Sequence, residues 1–267
     1  MRNHNLKSIN FLGVSVDAVD FNYMLEKVDE WIQEKNGRSH HIACINAYCV
    51  SLTLKNERLK RIYNSSDIAG ADGMPFVVWI RKIARESCDR YYAPDVILKL
   101  AEHSEHSKCS FFLYGGDPVV VKRMEQFLHT KFPYLRIVGS YSPPFRELTI
   151  KEDAEIVELL NSLKPDIIAV GLGTPKQDYW IDDHIEKIKG AVMVASGATF
   201  DFFGGRIKIA PRWIQRSGFE WLYRLFSKDF FRLWKRYTVS NFVFLLYFLL
   251  QVFNIYEIEN KRVFRKE

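Results

Sequence analysis

An acid framed by glycines, Gly70-Ala71-Asp72-Gly73-Met74-Pro75, follows a short apolar run and precedes a helical pattern. Open α/β sheets keep their ligands at such strand ends, and a carboxylate there can act as a general base. The same letters also spell an ordinary turn. Three further glycine turns stand in similar places. Tyr114-Gly115-Gly116-Asp117-Pro118 closes one apolar run and opens a helix with a capping acid and a proline. Two glycines allow a tight turn and close approach of a ligand to the backbone, while the helix start adds partial positive charge. Gly171-Leu172-Gly173-Thr174-Pro175-Lys176-Gln177-Asp178 adds Lys176, a cation able to face a phosphate, and Gln177, an amide able to read a base or a sugar. Ser196-Gly197-Ala198-Thr199-Phe200-Asp201 ends in an acid suited either to a sugar hydroxyl or to capping a turn.

What these turns do not contain is equally informative. The third glycine of G-x-G-x-x-G is replaced by Lys176, so a dinucleotide fingerprint is not met and a nucleotide-diphosphate site fits better. There is no Asp-x-Asp pair to hold a metal at a diphosphate, so cationic side chains and helix ends are expected to neutralise a leaving group. His103 and His106 share a helix face but have no third ligand nearby in sequence, and no metal site is expected. The four cysteines form no C-x-x-C pair and read as buried thiols in a reducing cytoplasm. Nothing at the start reads as a secretory signal.

The elements that must carry these turns alternate between short apolar runs and helical periods, the pattern of a parallel sheet clothed by helices. Strands are expected at 10–16, 41–45, 67–70, 110–114, 136–139, 166–171 and 191–196. Helices are expected at 21–34, 47–63, 75–85, 94–103, 118–131, 150–162 and 175–188, with Asp117-Pro118 and Thr174-Pro175 as cap-plus-proline starts.

Near Gly204 the composition changes, placing a catalytic domain at 1–204 and a helical appendage at 205–267. From Gly204 onward there are thirteen Lys or Arg against five acids, whereas the whole chain carries +6. An anionic partner is expected at this tail. Arg224, Lys228, Arg232 and Arg236 recur every four residues and would form one cationic stripe. The apolar run 242–250 is too short for a membrane span, which needs about 20 residues, and reads best as an interfacial helix. A membrane-dipping or oligomerising helix and a buried core helix are the other readings.

In order, Ile45-Asn46-Ala47, Ala71-Asp72-Gly73, Tyr114 to Pro118, Gly171 to Asp178, Gly197 to Asp201, and Ala210-Pro211-Arg212-Trp213 leading to Gly218-Phe219-Glu220-Trp221-Leu222-Tyr223-Arg224-Leu225 resemble the WecG/TagA/CpsF family of bacterial glycosyltransferases. The resemblance implies a Rossmann-like, mostly parallel sheet with helices on both faces and a basic amphipathic helical C-terminal appendage that contacts the membrane. It implies inverting, metal-independent transfer from a UDP-sugar to an undecaprenyl-diphosphate-linked saccharide in polysaccharide biosynthesis, with no cofactor beyond the donor. Asp72 matches the family's proposed base and Asn46 lies in its donor region. Gln177 and Asp201 match positions associated with nucleotide or sugar contact, and Arg216, Arg224, Arg232 and Arg236 are candidates for gripping a diphosphate. Where family members often carry threonine, two residues before the asparagine, this chain has Cys44, a poorer hydrogen-bond donor. The expected location is the cytoplasmic face of the plasma membrane, bound peripherally to its anionic surface, with no nucleic-acid partner and with homo-oligomerisation left open.

Two other classes compete. A nicotinamide-dependent oxidoreductase could share the architecture, but it needs the complete dinucleotide turn that is missing. A non-catalytic binder of membranes or nucleic acid would use the cationic tail alone, with steep salt dependence.

Overall fold

The computed structural model describes residues 6–34, 37–217, 220–225 and 240–253, without the side chains of residues 216, 221, 224 and 225. Eight strands form a mostly parallel sheet accompanied by helices. By contacts the chain divides into two compact units: Met1–Asp20, Ala43–Tyr92 and Ile209–Glu267 form the first, and Phe21–Ile42 with Ala93–Lys208 the second.

The first unit begins with a hairpin, β1 (Ser8–Phe11) and β2 (Val14–Asp17), where sequence suggested one strand over 10–16. The apolar run conceals a two-residue turn in which both Leu12 and Gly13 take positive φ, 54° and 86°. Such turns match the natural twist of paired strands. β2 pairs in parallel with β4 (Ile68–Ala71), and the strand order continues to β3 (His40–Ile45). After β3 come α2 (Ala47–Thr53) and α3 (Glu57–Ser65), not the single helix expected over 47–63. Asn56 ends the continuity: its side chain accepts from the Leu59 N–H at 3.0 Å, capping a new helix in place of extending the old one. α4 (Met74–Lys82) follows the Asp72 turn, and α10 (Arg212–Ser217), α11 (Glu220–Leu225) and α12 (Ser240–Val252) belong to the C-terminal part.

α12 packs against α2, buries Phe244, and stacks Phe248 on Phe11 at 5.5 Å and edge-on against Trp79 at 4.8 Å. Its Gln251 locks the hairpin turn, accepting from the Leu12 N–H at 3.0 Å and donating to the Asn10 carbonyl at 3.1 Å. Phe242, Leu245, Leu246, Leu249 and Phe253 on the opposite side are exposed. The run read as interfacial thus has one docked and one open apolar face. Among the described residues no helix is long and apolar enough to cross a membrane.

In the second unit α1 (Phe21–Gln33) leads into β3, and α5 (Ala93–Ser107) leads into β5 (Ser110–Gly115). Then come α6 (Pro118–Lys131), β6 (Arg136–Tyr141), α7 (Ile150–Leu163), β7 (Ile167–Gly171), α8 (Lys176–His184), β8 (Val192–Ala195) and α9 (Gly197–Phe203). The strand order is β3-β8-β7-β5-β6, and each neighbouring pair in it is parallel. Ile167, Ile168, Ala169 and Val170 are all fully buried. Since alternate strand residues point to opposite faces, both faces of the sheet are covered here. The Thr174-Pro175 start differs from expectation: the bond is cis, Pro175 occupies the cap position, and α8 begins at Lys176.

Candidate active site

Within the first unit the site grows from the ends of β3 and β4. The Asp72 N–H donates to the Ile45 carbonyl at 2.8 Å, so the residues leaving the two strands, Asn46 and Asp72, are held side by side. Asn46 caps α2, its Oδ1 accepting from the Cys49 N–H at 3.1 Å. That bond decides which way the amide faces. Nδ2 is left to point at Asp72, where it donates to Oδ2 at 3.1 Å. A helix cap therefore orients a carboxylate.

The glycine before this acid has a separate task. A Cβ at Gly70 would stand 2.1 Å from Cγ of Tyr91, so the missing side chain makes room for that ring. Tyr91 is fully buried, donates its N–H to the Ala71 carbonyl at 2.8 Å and its hydroxyl to the Asp20 carbonyl at 2.9 Å. Burial, reinforced by nearby anions, raises its phenol pKa above the ordinary value. The strap of chain so anchored carries the neighbouring residue, Arg90, onto the site.

Arg90 is a residue that sequence reading missed. Its Nε donates to the Asp72 carbonyl at 2.7 Å and its Nη1 to the Gln215 carbonyl at 3.0 Å. Nη2 lies 2.7 Å from Oε2 of Glu220 and 3.8 Å from Oδ1 of Asp72. The Tyr92 ring sits under the guanidinium at 4.6 Å, a favourable cation–π distance. Burial opposes the charge on Arg90, but the carboxylates of Asp72 and Glu220 outweigh it and raise the arginine pKa. The three side chains are largely enclosed, with 19%, 16% and 8% exposure for Arg90, Asp72 and Glu220. Pairing is what permits charged groups to be buried to this extent. The sequence signal was the run Asp89-Arg90-Tyr91-Tyr92, a charge among large aromatics outside any glycine turn; Glu220 belongs to the C-terminal motif that begins at Gly218, where the sequence suggests no role for it.

In the second unit β5 leads to β6 on one side, and the chain then returns to place β7 on the other side of β5. This reversal is a topological switch point, the place where parallel sheets open a crevice at their carboxyl ends. The strands flanking it end in register at Gly115 and Gly171. Most of these glycines serve turn packing. A Cβ on Gly115 would meet the Gly171 backbone at 2.5 Å, one on Gly171 the Phe200 ring at 2.4 Å, and one on Gly197 the Gln177 Oε1 at 2.7 Å. Gly116, at φ +70°, would contact Phe200 at 3.1 Å. Gly173, at φ +78°, has open space before it.

Gln177 is buried and joins two of these turns: its Oε1 accepts from the Gly173 and Gly197 N–H groups, each at 3.0 Å, and its Nε2 donates to Thr174 Oγ1 at 3.3 Å. Asp117 caps α6 through the Val119 N–H at 2.9 Å. Lys176 is exposed at the first turn of α8. Asp201 pairs with Arg206 at 2.8 Å. Arg232 and Arg236 lie outside the described residues, as do the side chains of Arg216 and Arg224. His103 hydrogen-bonds Asp29 at 2.7 Å. All four cysteines are free thiols, and burial raises the pKa of Cys88 and of Cys109.

The sequence profile described as "Glycosyl transferase WecG/TagA/CpsF family" matches residues 9–257. A protein of Bacillus spizizenii is 28% identical over 65% of this chain and 66% of its own length. Others from Staphylococcus aureus and Bacillus subtilis are 26% and 27% identical over 87% of this chain and over 87% and 85% of their own. All three are named N-acetylglucosaminyldiphosphoundecaprenol N-acetyl-beta-D-mannosaminyltransferase.

Proposed function

The chain belongs to the glycosyl transferase WecG/TagA/CpsF family, and from that premise we propose that it moves an N-acetylhexosamine from a UDP-sugar to a polyprenyl-diphosphate-linked saccharide, inverting the anomeric centre. The observation that carries the mechanism is the carboxylate of Asp72, turned by the Asn46 amide at the carboxyl end of β4. In a single displacement the acceptor hydroxyl oxygen forms a bond to the anomeric carbon. Its proton passes to the Asp72 carboxylate, and the bond from that carbon to the UDP oxygen breaks, with UDP leaving as the anion. Nucleotide binding is proposed for the turns at the switch point of the second unit, where Gly173 leaves open space and Lys176 supplies an exposed cation. Backbone N–H groups at helix starts suit such an anion.

The test is Asp72→Asn assayed with UDP-N-acetylmannosamine, which carries the sugar that the relatives' names give, and a short polyprenyl-diphosphate N-acetylglucosamine acceptor. Transfer is expected to be abolished while calorimetric UDP binding is retained, and wild-type transfer is expected to proceed with chelator present. A fully active variant would remove Asp72 from the role of base.

The same reading extends to a peripheral position on the membrane surface. A polyprenyl acceptor resides in a bilayer, and α12 offers Phe242, Leu245, Leu246 and Leu249 on its open face between basic stretches of sequence. The wild-type protein is expected to float with anionic vesicles and Phe242→Ser/Leu246→Ser to remain behind; equal flotation would exclude this face as the contact.

A further inference from the structure

We propose that Glu220 is a positioning residue that sets the basicity of Asp72 through a cation they share, Arg90; this rests on the reading of Asp72 as base. The geometry is that of two carboxylates competing for one guanidinium nitrogen. Glu220 holds Nη2 at 2.7 Å, while Asp72 Oδ1 stands 3.8 Å from the same atom. Their oxygens are therefore no farther apart than the sum of those two distances, close enough for one negative charge to be felt by the other. Arg90 cannot drift to favour Asp72, because its Nε and Nη1 are fixed on the carbonyls of Asp72 and Gln215.

The consequence concerns protons. A base must be anionic yet willing to accept a proton, and a carboxylate gripped by an undivided guanidinium is a poor acceptor. Glu220 takes the close contact for itself and adds a like charge nearby, and both effects keep Asp72 basic. Asn46 faces Asp72 from α2 as a neutral donor. Among the described residues, the other titratable or charged groups on the neighbouring elements include Asp17 on β2, which accepts from the Ala69 N–H at 2.7 Å, Cys44 on β3, Tyr48 on α2, Tyr91 and Tyr92 in the strap, Arg212 on α10, Tyr223 on α11, and Asp89, which pairs with Arg81 of α4 at 3.7 Å.

Glu220→Gln keeps the shape and the acceptor oxygen but removes the charge. The probe is the Asp72 side-chain carboxyl itself, followed by 13C NMR from low to neutral pH and identified by its loss in Asp72→Asn. Its midpoint is expected to move down by about one pH unit in Glu220→Gln and to stay at the wild-type value in Glu220→Asp. Transfer at neutral pH is expected to fall roughly threefold, as for a weakened base, with UDP binding unchanged. An unmoved midpoint in Glu220→Gln overturns the proposal, and a lowered melting temperature with that same unmoved midpoint marks Glu220 as a strut only. If the midpoint shifts while Asp72→Asn remains active, the coupling stands and the assignment of Asp72 as base is what fails.

Discussion

Replacing Arg90 by methionine tests whether the charge cluster holds the first unit together. The substitution keeps an unbranched apolar stem but removes the charge and the donors that reach the carbonyls of Asp72 and Gln215 and the carboxylate of Glu220. Removing one partner of a buried ion pair costs about 3–5 kcal/mol. Because Arg90 and Asp72 retain 19% and 16% exposure, water can reach part of the cluster, and the lower figure of about 3 kcal/mol is the better expectation. For a chain of this size that lowers the melting temperature by about 6–12 °C. The pH dependence has a definite sign. With the Arg90 charge removed, the carboxylates of Asp72 and Glu220 repel more strongly, so the folded variant binds protons more readily than its unfolded chain. Its stability then falls as pH rises, and the gap to wild type widens between about pH 4.5 and 7. Calorimetric melts of both proteins at the two pH values provide the readout, and Arg90→Met/Glu220→Gln is expected to recover part of the loss. A variant that melts with the wild type would show that the cluster contributes nothing to stability, and a gap independent of pH would refute the carboxylate repulsion.

Gln177→Leu leaves the Gly173 and Gly197 N–H groups without their shared acceptor; both are half-buried, so at about 1 kcal/mol for each, the lower end for an unsatisfied donor, denaturant unfolding is expected to show a loss of up to about 2 kcal/mol and calorimetry weaker UDP binding. The Glu152 carboxyl is bonded by Arg146 and by the backbone and hydroxyl of Thr149, and its pKa falls to about 2. The small stabilisation it gives is present above the ordinary carboxylate value and fades as the pH drops through about 2; carboxyl NMR is expected to show that midpoint, moving upward in Arg146→Ala.

How much of this was legible in the sequence depended on distance along the chain. Apolar runs, prolines and caps located the strands and helices because each is a local preference, and the Asp117-Pro118 start behaved as read. The hairpin was hidden because Leu12 is apolar and buried even though it occupies a turn. The helix over 47–63 was divided by a cap, Asn56, that looks like any polar residue within a helical period. The turn motifs were found as motifs, but what Gly70, Gly171 and Gly197 make room for lies on other elements. Arg90 was invisible for the same reason: its meaning comes from Glu220, 130 residues away.

The amide at position 46 narrows what chemistry that position can tolerate. It must receive a hydrogen on one edge to start α2 and give one on the other to Asp72, from a stem short enough to do both. Aspartate would keep the first bond and set two anions face to face; serine and threonine would start the helix but present a single hydrogen on a rotating hydroxyl, with no second arm. Glutamine carries both functions one methylene too far. Asparagine alone meets both demands, so the first turn of α2 and the aim of the Asp72 carboxylate stand or fall together.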